Sequence, residues 1–338
     1  MSRYYKIVVG PTASGSTNGF TWTNRLDDKA VLGAQTVELD IWQTAANEPA
    51  SNSYIKIWGP PKQQLFQAKD FNGAPIQIFI GMQNGLPLAS ASVTDGQQGL
   101  AVTGQIFQAF GNWQGTNQTL DFIIIAAGGT QSDPANISFN LPKGQPLSNA
   151  IDSVLRIAFP TFLAPEIRIN PDLVLSQDEP FTYQTLTQFS DFINGISQDI
   201  IGGNYQGVYM VPKNNQIIVF DGTQKTGIPA KKIKSQDMIG QITWLGPSVV
   251  QFTTIMRADI SVGDIVQFPE VAGLTAITNV TSYSNLRSAT TFQGKWQIKA
   301  VRHVGNSRLP GAQSWVSTFQ AVSNTANPDQ ISVSYGNE

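Results

Sequence analysis

The chain has a single histidine, His303, which is the first residue to test for acid–base chemistry. A catalytic triad needs its histidine beside a nucleophile and an acid that orients the ring. His303 stands between Arg302 and Val304 in a strand-like stretch, and no adjoining segment has the pattern of a nucleophile elbow. We therefore predict a structural role for His303.

Three short patterns are partial matches to loops that bind ions or phosphates. Residues 259–264 (Asp-Ile-Ser-Val-Gly-Asp) have acidic ends, but they lack the glycine and glutamate positions of an EF-hand. Gly294 and Lys295 are followed by Trp296 rather than by the serine or threonine of a P-loop. Residues 202–207 follow a helical pattern instead of opening one, which disfavours a dinucleotide loop. We predict a corner between strands at 259–264 and no ligand at any of the three.

Carboxylates could support hydrolysis of glycosidic bonds if two of them shared a cleft. Glu48, Glu166 and Glu179 are present, but nothing in the sequence pairs them. Cysteine is absent, which removes disulfides, zinc–thiolate sites, iron–sulfur sites and cysteine nucleophiles. One histidine and scattered carboxylates do not have the spacing of metal ligands. The sequence predicts no catalytic, cofactor-binding or metal-binding residue, and therefore no enzyme.

Charged residues are scarce, at 13% of 338 residues, which is about half of the roughly 25% typical of soluble proteins. A surface that partner chains will cover does not need charge to stay soluble. The composition therefore favours a subunit of an assembly. The net charge of −2 argues against nucleic acid as a partner, because nucleic acid selects a basic face.

The sequence shows no segment for membrane insertion or export. Its longest apolar run, residues 122–127, is far shorter than the ~20 residues of a membrane-spanning helix. Residues 1–10 lack the hydrophobic core of a signal peptide. We predict no membrane anchor, and either a soluble intracellular chain or part of a particle that assembles inside a cell.

Residues 1–140 have the pattern of strands throughout. Val37, Leu39 and Ile41 alternate with polar side chains, which is typical of a strand with one buried face. The same alternation recurs at residues 54–58, 75–80, 100–107 and 119–125. Short turns rich in glycine, proline and asparagine separate these strands, so the segment is predicted to form a barrel or a sandwich.

Residues 141–235 change to helical periodicity and are predicted to form a small α+β domain. Thr185 with Gln188 is a capping box for a second helix, and Gly202 ends that helix. A hairpin of residues 208–211 and 216–220 follows. The apolar face of the first helix is Leu147, Ile151, Val154, Leu155 and Phe159, and that of the second is Leu186, Phe189, Ile193, Ile196 and Ile200.

Residues 236–325 return to strands and are predicted to form a second β domain. The polar tail, residues 326–338, is predicted to be loose or to contact a partner. The seven tryptophans are distributed over both β domains; tryptophan is common in interfaces and in cores, and we favour the core for each one. The predicted strands are residues 248–255, 264–268, 294–301 and 314–322.

Short sequence segments in all three parts of the chain resemble segments of one protein family. In the first part these are residues 52–58 (Asn-Ser-Tyr-Ile-Lys-Ile-Trp) and residues 75–81 (Pro-Ile-Gln-Ile-Phe-Ile-Gly), followed by Gly-Gln-Ile-Phe at 104–107. Residues 180–201 resemble the helix that opens the middle domain of the family. In the last part the matching segments are residues 239–246, 255–264 and 292–303, with Ala258 where many members carry proline.

On these segments the chain resembles the central hub protein of phage contractile-tail baseplates, a family that includes the Mu-like hubs and the hub portion of type VI secretion spikes. The resemblance implies two tube-like β-barrel domains (1–140 and 236–325) flanking the α+β domain (141–235). It implies a homotrimer whose pseudo-sixfold ring joins the hexameric tail tube to the trimeric spike. Its expected partners are therefore copies of itself, the tube protein, the spike protein and other baseplate proteins.

The resemblance also implies a place in the virion, at the tail baseplate, after assembly in the host cytoplasm. An alternative is a carbohydrate- or receptor-binding tail module, which would also be rich in strands and surface tryptophan. Such modules tend to have repeats or a fibrous C-terminus, and this chain has neither.

Overall fold

The fold of the first part follows from the alternation of apolar and polar residues. The computed structural model describes residues 2–12, 19–26, 29–45, 53–83, 97–126, 137–160, 162–203, 205–213, 216–224, 229–246, 249–269, 292, 294–311 and 313–323. Residues 2–126 form the first β unit. Its strands are β1 (Ser2–Val9), β2 (Phe20–Thr23), β3 (Arg25–Leu26), β4 (Lys29–Ala30), β5 (Thr36–Thr44), β6 (Ser53–Trp58), β7 (Pro75–Gln83), β8 (Gly99–Gln114) and β9 (Asn117–Ala126).

The predicted strands of the first β unit are confirmed, and several are longer than predicted, β8 by the most. Val37, Leu39 and Ile41 on β5 are buried, as their alternation predicts. β8 continues past residue 107 because it forms a hairpin with β9 as far as the pair Gln114–Asn117. A short helix that the sequence patterns do not predict, α1 (Lys62–Phe66), lies against this hairpin.

The middle unit, residues 137–224, contains both predicted helices. These are α2 (Leu147–Ala158) and α3 (Leu186–Ile201). Its parallel pair, β11 (Leu163–Arg168) with β14 (Gln216–Phe220), extends the predicted hairpin of β13 (Tyr209–Lys213) and β14 into a small sheet. Its strands are β10 (Ile137–Leu141), β11 (Leu163–Arg168), β12 (Glu179–Tyr183), β13 (Tyr209–Lys213) and β14 (Gln216–Phe220).

Residues 229–323 form the last β unit, and its four predicted strands are present. β19 (Lys295–Asn306) continues five residues beyond its predicted end, because it pairs there with a strand of the first β unit. The predicted tail, residues 326–338, lies outside the described residues. The strands are β15 (Lys231–Lys232), β16 (Thr243–Gly246), β17 (Val249–Ile255), β18 (Ile265–Gln267), β19 (Lys295–Asn306) and β20 (Trp315–Val322).

The first and last β units share one sheet. β5 pairs antiparallel with β19, from Thr44 opposite Ala300 to Glu38 opposite Asn306; we call this pairing the seam. The strand order is β16-β17-β20-β19-β5-β6-β9-β8-β7-β1-β2; in addition, β18 pairs with the first three residues of β19, and β15 pairs with β18. The mainly β fold with an α+β insert is confirmed. Among the described strands, hydrogen bonds do not close either β unit into a barrel.

Three hydrophobic clusters hold the fold together, and two of them cross between units. The first β unit's cluster includes Met256, Ala258 and Trp315 of the last β unit. The last β unit's cluster takes in Tyr209 and Phe220 of the middle unit. The third cluster belongs to the middle unit. The packing therefore continues from one unit to the next, and the domain boundaries given above stay a prediction.

Helix α3 is fixed by its cap and by its apolar face. The Thr185 side chain accepts a hydrogen bond from the Gln188 N–H at 3.2 Å, as predicted. The Gln188 side chain, in turn, accepts from the N–H of Gln184, one residue before the cap. Ile193 is fully buried against the middle cluster, while Ile196 on the same face is partly buried.

The Ile193→Ala variant should lower the free energy of unfolding by about 2–5 kcal/mol, because it removes a fully buried side chain and leaves a cavity. The matched variant Ile196→Ala should cost less, since that side chain is only partly buried. Urea titration of both variants measures the difference. A loss below about 1 kcal/mol for Ile193→Ala would show that the face is not packed as described.

Candidate assembly surface

His303 lies on β19 at the seam and is fully buried. It sits opposite Ile41 on β5 and Ser317 on β20. Its Nδ1 is 2.7 Å from the Ser317 Oγ, which also accepts a hydrogen bond from the backbone N–H of Arg257 at 2.9 Å. The sequence patterns miss this serine–histidine pair. Both side chains have no solvent exposure, and no described acid contacts the His303 Nε2, so the pair has the environment of a packing element.

Burial of His303 lowers its pKa to about 3, well below the ~6.5 of an exposed histidine. Between these two values the unfolded chain binds a proton that the folded chain does not, so stability falls as the pH falls. The loss should reach about 2 kcal/mol between pH 7 and pH 5. The His303→Asn variant should lose this part of the pH dependence. Urea titrations of both proteins at pH 7, 6 and 5 measure it, and parallel pH profiles would refute it.

Residues 259–264 form the predicted corner, between β17 and β18, and their carboxylates are engaged within the chain. Asp259 accepts two hydrogen bonds from the Arg257 guanidinium. Asp264 accepts from the backbone N–H of Ser261 at 2.9 Å and from the Lys231 Nζ at 2.8 Å. Within the described part of the chain, no three acidic or histidine side chains are grouped so as to hold a metal ion.

Two of the carboxylates considered for hydrolysis, Glu166 and Glu179, lie on strands of different sheets. Glu166 on β11 forms an ion pair with Arg168, and Glu179 on β12 accepts from Gln177. Glu48 lies outside the described residues. A cavity of about 260 Å³ opens between α2 and β11, and its lining is mainly apolar with Arg156 at its side. The described residues that line this cavity include no aspartate or glutamate, so it does not assemble a pair of catalytic acids.

A buried polar network joins the first β unit to the last; we call it the joint. The Arg257 guanidinium bonds to Asp259 at 3.1 and 2.6 Å, and it lies 3.7 Å from the Asp237 carboxylate. Asp237 also accepts a hydrogen bond, at 2.9 Å, from the side chain of Gln97, which precedes β8. Arg257, Asp237 and Gln97 are all buried. The network therefore ties the start of β8 to the last β unit; we call β8 and β9 together the long hairpin.

The joint also brings two backbones together. A Cβ atom at Gly99 would lie 2.3 Å from the carbonyl oxygen of Ala258 and 3.0 Å from the backbone nitrogen of Asp259. Real Cβ atoms do not approach backbone this closely, so only glycine fits at Gly99 without a shift. The start of β8 is thus packed directly on the turn that follows β17.

The seam is reinforced on its exposed face. Arg302 on β19 donates to the Asp40 carboxylate on β5 at 2.9 and 2.6 Å, and its guanidinium lies 4.6 Å from the centre of the Trp42 ring. The hydrogen bonds from Arg302 to Asp40 raise the pKa of the guanidinium. At the end of the seam, Asn306 donates to Glu38, the residue opposite it on β5, at 2.9 Å. These contacts hold the register between the two β units.

Two arginines fix the loops at one end of the seam. Arg3 donates to the carbonyl oxygens of Asn306 and Leu309 at 2.7 and 2.5 Å, and to the Ser314 Oγ at 2.7 Å. Arg308 donates to the carbonyl oxygen of Ala34 on the other side. The loops of both β units are therefore held against each other at this end of the molecule.

Large apolar side chains are exposed on the described surface. Trp22, Trp296 and Trp315 lie in the core, whereas Trp113 and Trp244 are exposed. Trp113 is accompanied on the long hairpin and α1 by Phe66, Phe107 and Phe110, and Trp244 on β16 is followed by Leu245, which is 52% exposed. Aromatic side chains such as these are enriched in surfaces that partner chains cover.

No protein-family model matches the sequence, and no curated protein matches it in sequence. The fold is similar to that of a tail protein from Neisseria meningitidis MC58, with a TM-score of 0.50 and 10% identity over 96% of this chain and 97% of that chain. This likeness shows that the two chains share a fold.

Two other solved structures are similar over nearly the whole of this chain. The 43 kDa tail protein of prophage MuSo2 from Shewanella oneidensis is 9% identical, with a TM-score of 0.45 over 98% of both chains. A chain of the PdpA–VgrG complex of Francisella is 8% identical, with a TM-score of 0.44 over 96% of this chain and 58% of that chain. In the described part of this chain, no helix is long and apolar enough to span a membrane.

Proposed function

We propose that this chain is a structural subunit of a phage-type tail. The observation that supports the proposal is the fold that it shares, over 96% of its length, with a tail protein. The low content of charged residues and the exposed apolar side chains on the long hairpin and on β16 suit a subunit whose surface is covered by neighbouring subunits.

Within the tail, we assign the chain to the central hub of the baseplate. Three copies would form a ring in which first and last β units alternate, so that six β units face the hexameric tail tube while the threefold symmetry suits the spike. The seam supports this assignment, because it holds the two β units of one chain side by side in one sheet. The tube protein, the spike protein and other baseplate proteins are the proposed partners, in a virion assembled in the host cytoplasm.

The proposal includes no catalytic activity. The closest arrangement to a catalytic pair is Ser317 with His303, and neither side chain has solvent exposure. Both side chains project from one face of the sheet into the packed interior, so a substrate would have to enter the core to reach them. We therefore assign the pair to packing at the seam.

The exposed tryptophans suit a protein interface better than a sugar platform. The Lys62 Nζ lies 4.3 Å from the centre of the Trp113 ring and covers one face of it. Trp244 packs on Phe292 and Trp296, with ring centroids 5.2 and 5.8 Å away. A sugar-binding surface would present open aromatic faces beside free polar groups.

Sedimentation of the purified chain tests the proposed ring. The expected mass is three times the 36.6 kDa of one chain, and electron microscopy of the same sample should show a closed ring with six β units. A ring of six chains would refute the adaptor role. A stable monomer that binds glycans on an array would instead support the carbohydrate-binding module.

A further inference from the structure

A short loop at one end of the seam, between β19 and β20, carries an exposed apolar side chain. We call residues 307–311 the Leu309 loop. Leu309 is 56% exposed, and Leu32, in the turn after β4, is 94% exposed. The Arg308 guanidinium donates to the carbonyl oxygens of Leu32 and Ala34, so it connects the Leu309 loop to that turn. The two leucines are therefore neighbours of one exposed arginine.

Hydrogen bonds from three surrounding side chains fix the backbone of the Leu309 loop. Arg3 on β1 donates to the carbonyl oxygen of Leu309 at 2.5 Å, and the Ser314 Oγ lies 2.7 Å from the same oxygen. The Asn306 Oδ1 accepts from the backbone N–H groups of Arg308 and Leu309, both at 2.9 Å. A loop that is already ordered loses little conformational entropy when a partner binds to it. The exposed leucine is therefore held ready for contact.

This end of the seam also carries positive charge. Arg3 and Arg308 donate to backbone carbonyl oxygens and to a serine hydroxyl, and in the described part of the chain neither pairs with a carboxylate. Glu38, at the same end, accepts a hydrogen bond from the asparagine opposite it. Asp27 and Asp28 lie outside the described residues. An exposed arginine that no described carboxylate neutralises favours an anionic group on the surface that contacts it.

We propose that Leu32, Arg308 and Leu309, which we call the end patch, bind a segment of another protein in which an acidic side chain lies beside an apolar one. Two leucines are too small an apolar surface to anchor a chain in a bilayer, and single-stranded nucleic acid is bound by basic and aromatic side chains rather than aliphatic ones. The seam lies in the middle of the strand order, away from the sides at which copies in a ring would meet. The choice of another protein over a second copy therefore rests on the proposed ring.

An array of synthetic peptides tests the chemistry that the end patch selects. Four classes of peptide of equal length combine leucine with aspartate, leucine with lysine, leucine with asparagine, and serine with aspartate. The labelled full chain should bind the leucine–aspartate class at least about tenfold more tightly than any other class, because each of the other classes lacks one of the two central contacts. Equal binding of the leucine–aspartate and leucine–lysine classes would overturn the proposal.

Variants with matched controls show whether the end patch is the binding site. Leu309→Ser should weaken binding of the leucine–aspartate class at least about tenfold, whereas Leu163→Ser on β11, at a leucine that is 62% exposed, should leave it unchanged. Arg308→Glu should shift the preference to the leucine–lysine class, and Arg156→Glu, at an exposed arginine of α2, should not. Thermal unfolding checks that each variant is folded. Equal binding by the Leu309→Ser and Leu163→Ser variants would place the site elsewhere.

Further measurements separate the end patch from other ligands and from the ring. Tighter binding to duplex DNA, or to vesicles of phosphatidylglycerol and phosphatidylcholine, than to the leucine–aspartate peptides would overturn a protein partner. A Leu309→Ser chain that sediments at a lower mass than the natural chain would show that the end patch joins copies instead. A trimer without any peptide preference would refute the end patch and leave the ring intact, whereas a monomer with the expected preference would support the end patch and refute the ring.

Discussion

Replacing Arg257 by methionine should lower the free energy of unfolding by about 3–5 kcal/mol, the cost of leaving buried charge without its partner. The Arg257 side chain is 6% exposed, and that of Asp237 is 3% exposed. Methionine fills much the same volume, but it supplies no positive charge to Asp237 or Asp259. Urea or thermal unfolding monitored by circular dichroism measures the loss.

Two further variants show whether the charge is the cause. Arg257→Met combined with Asp237→Asn should recover part of the stability, because the asparagine is neutral and still accepts the hydrogen bond from Gln97. Arg302→Met is the matched control, since Arg302 also makes two bonds to an aspartate but at a partly exposed site, where about 1 kcal/mol or less is expected. Equal losses for Arg257→Met and Arg302→Met would contradict a buried joint.

Gly99→Val should destabilise the chain by about 3 kcal/mol, at the upper end of the cost of overpacking. The new Cβ would meet the carbonyl group of Ala258 at 2.3 Å, and a backbone carbonyl held by the turn after β17 cannot rotate away as a side chain can. The two β units would have to separate at the joint. Proteolysis should therefore cut the variant faster than the natural chain at the junction.

A glycine in open space provides the control. Gly195 lies in the middle of α3, with nothing within 4 Å of its ideal Cβ position. Gly195→Ala should raise stability by about 0.5–1 kcal/mol, because alanine has the higher helix propensity. If Gly99→Val were tolerated as well as Gly195→Ala, the close contact between the two β units would be wrong.

The sequence by itself determined the elements, since their patterns depend on backbone geometry within a few residues. Alternation with period two placed β5, with Val37 and Leu39 facing the core. The helical spacing and the Thr185 cap placed α3 within one residue of its start. In a capping box the Gln188 side chain would accept from the N–H of Thr185, but it accepts from the N–H of Gln184 instead. The two N–H groups are adjacent, and a glutamine side chain can reach either of them.

The tertiary structure alone decided which strands meet. Backbone N–H and C=O groups are the same in every strand, so nothing local in β5 indicates that β19, some 260 residues later, is its partner. The helix α1 was missed for the same reason, since it packs on β8 and β9, which come much later in the sequence.

The polar contacts between the β units could not be predicted from the sequence either. Arg257 and Asp259 are two residues apart, and that spacing hints at an ion pair. The burial of the pair beside Asp237, and its link to Gln97, depends on how the last β unit packs on the first. Buried charge is stable only where partners converge in space, and convergence is a property of the folded chain. The composition of the chain therefore predicted that it has an assembly surface, while the packing of the folded chain determined where that surface lies.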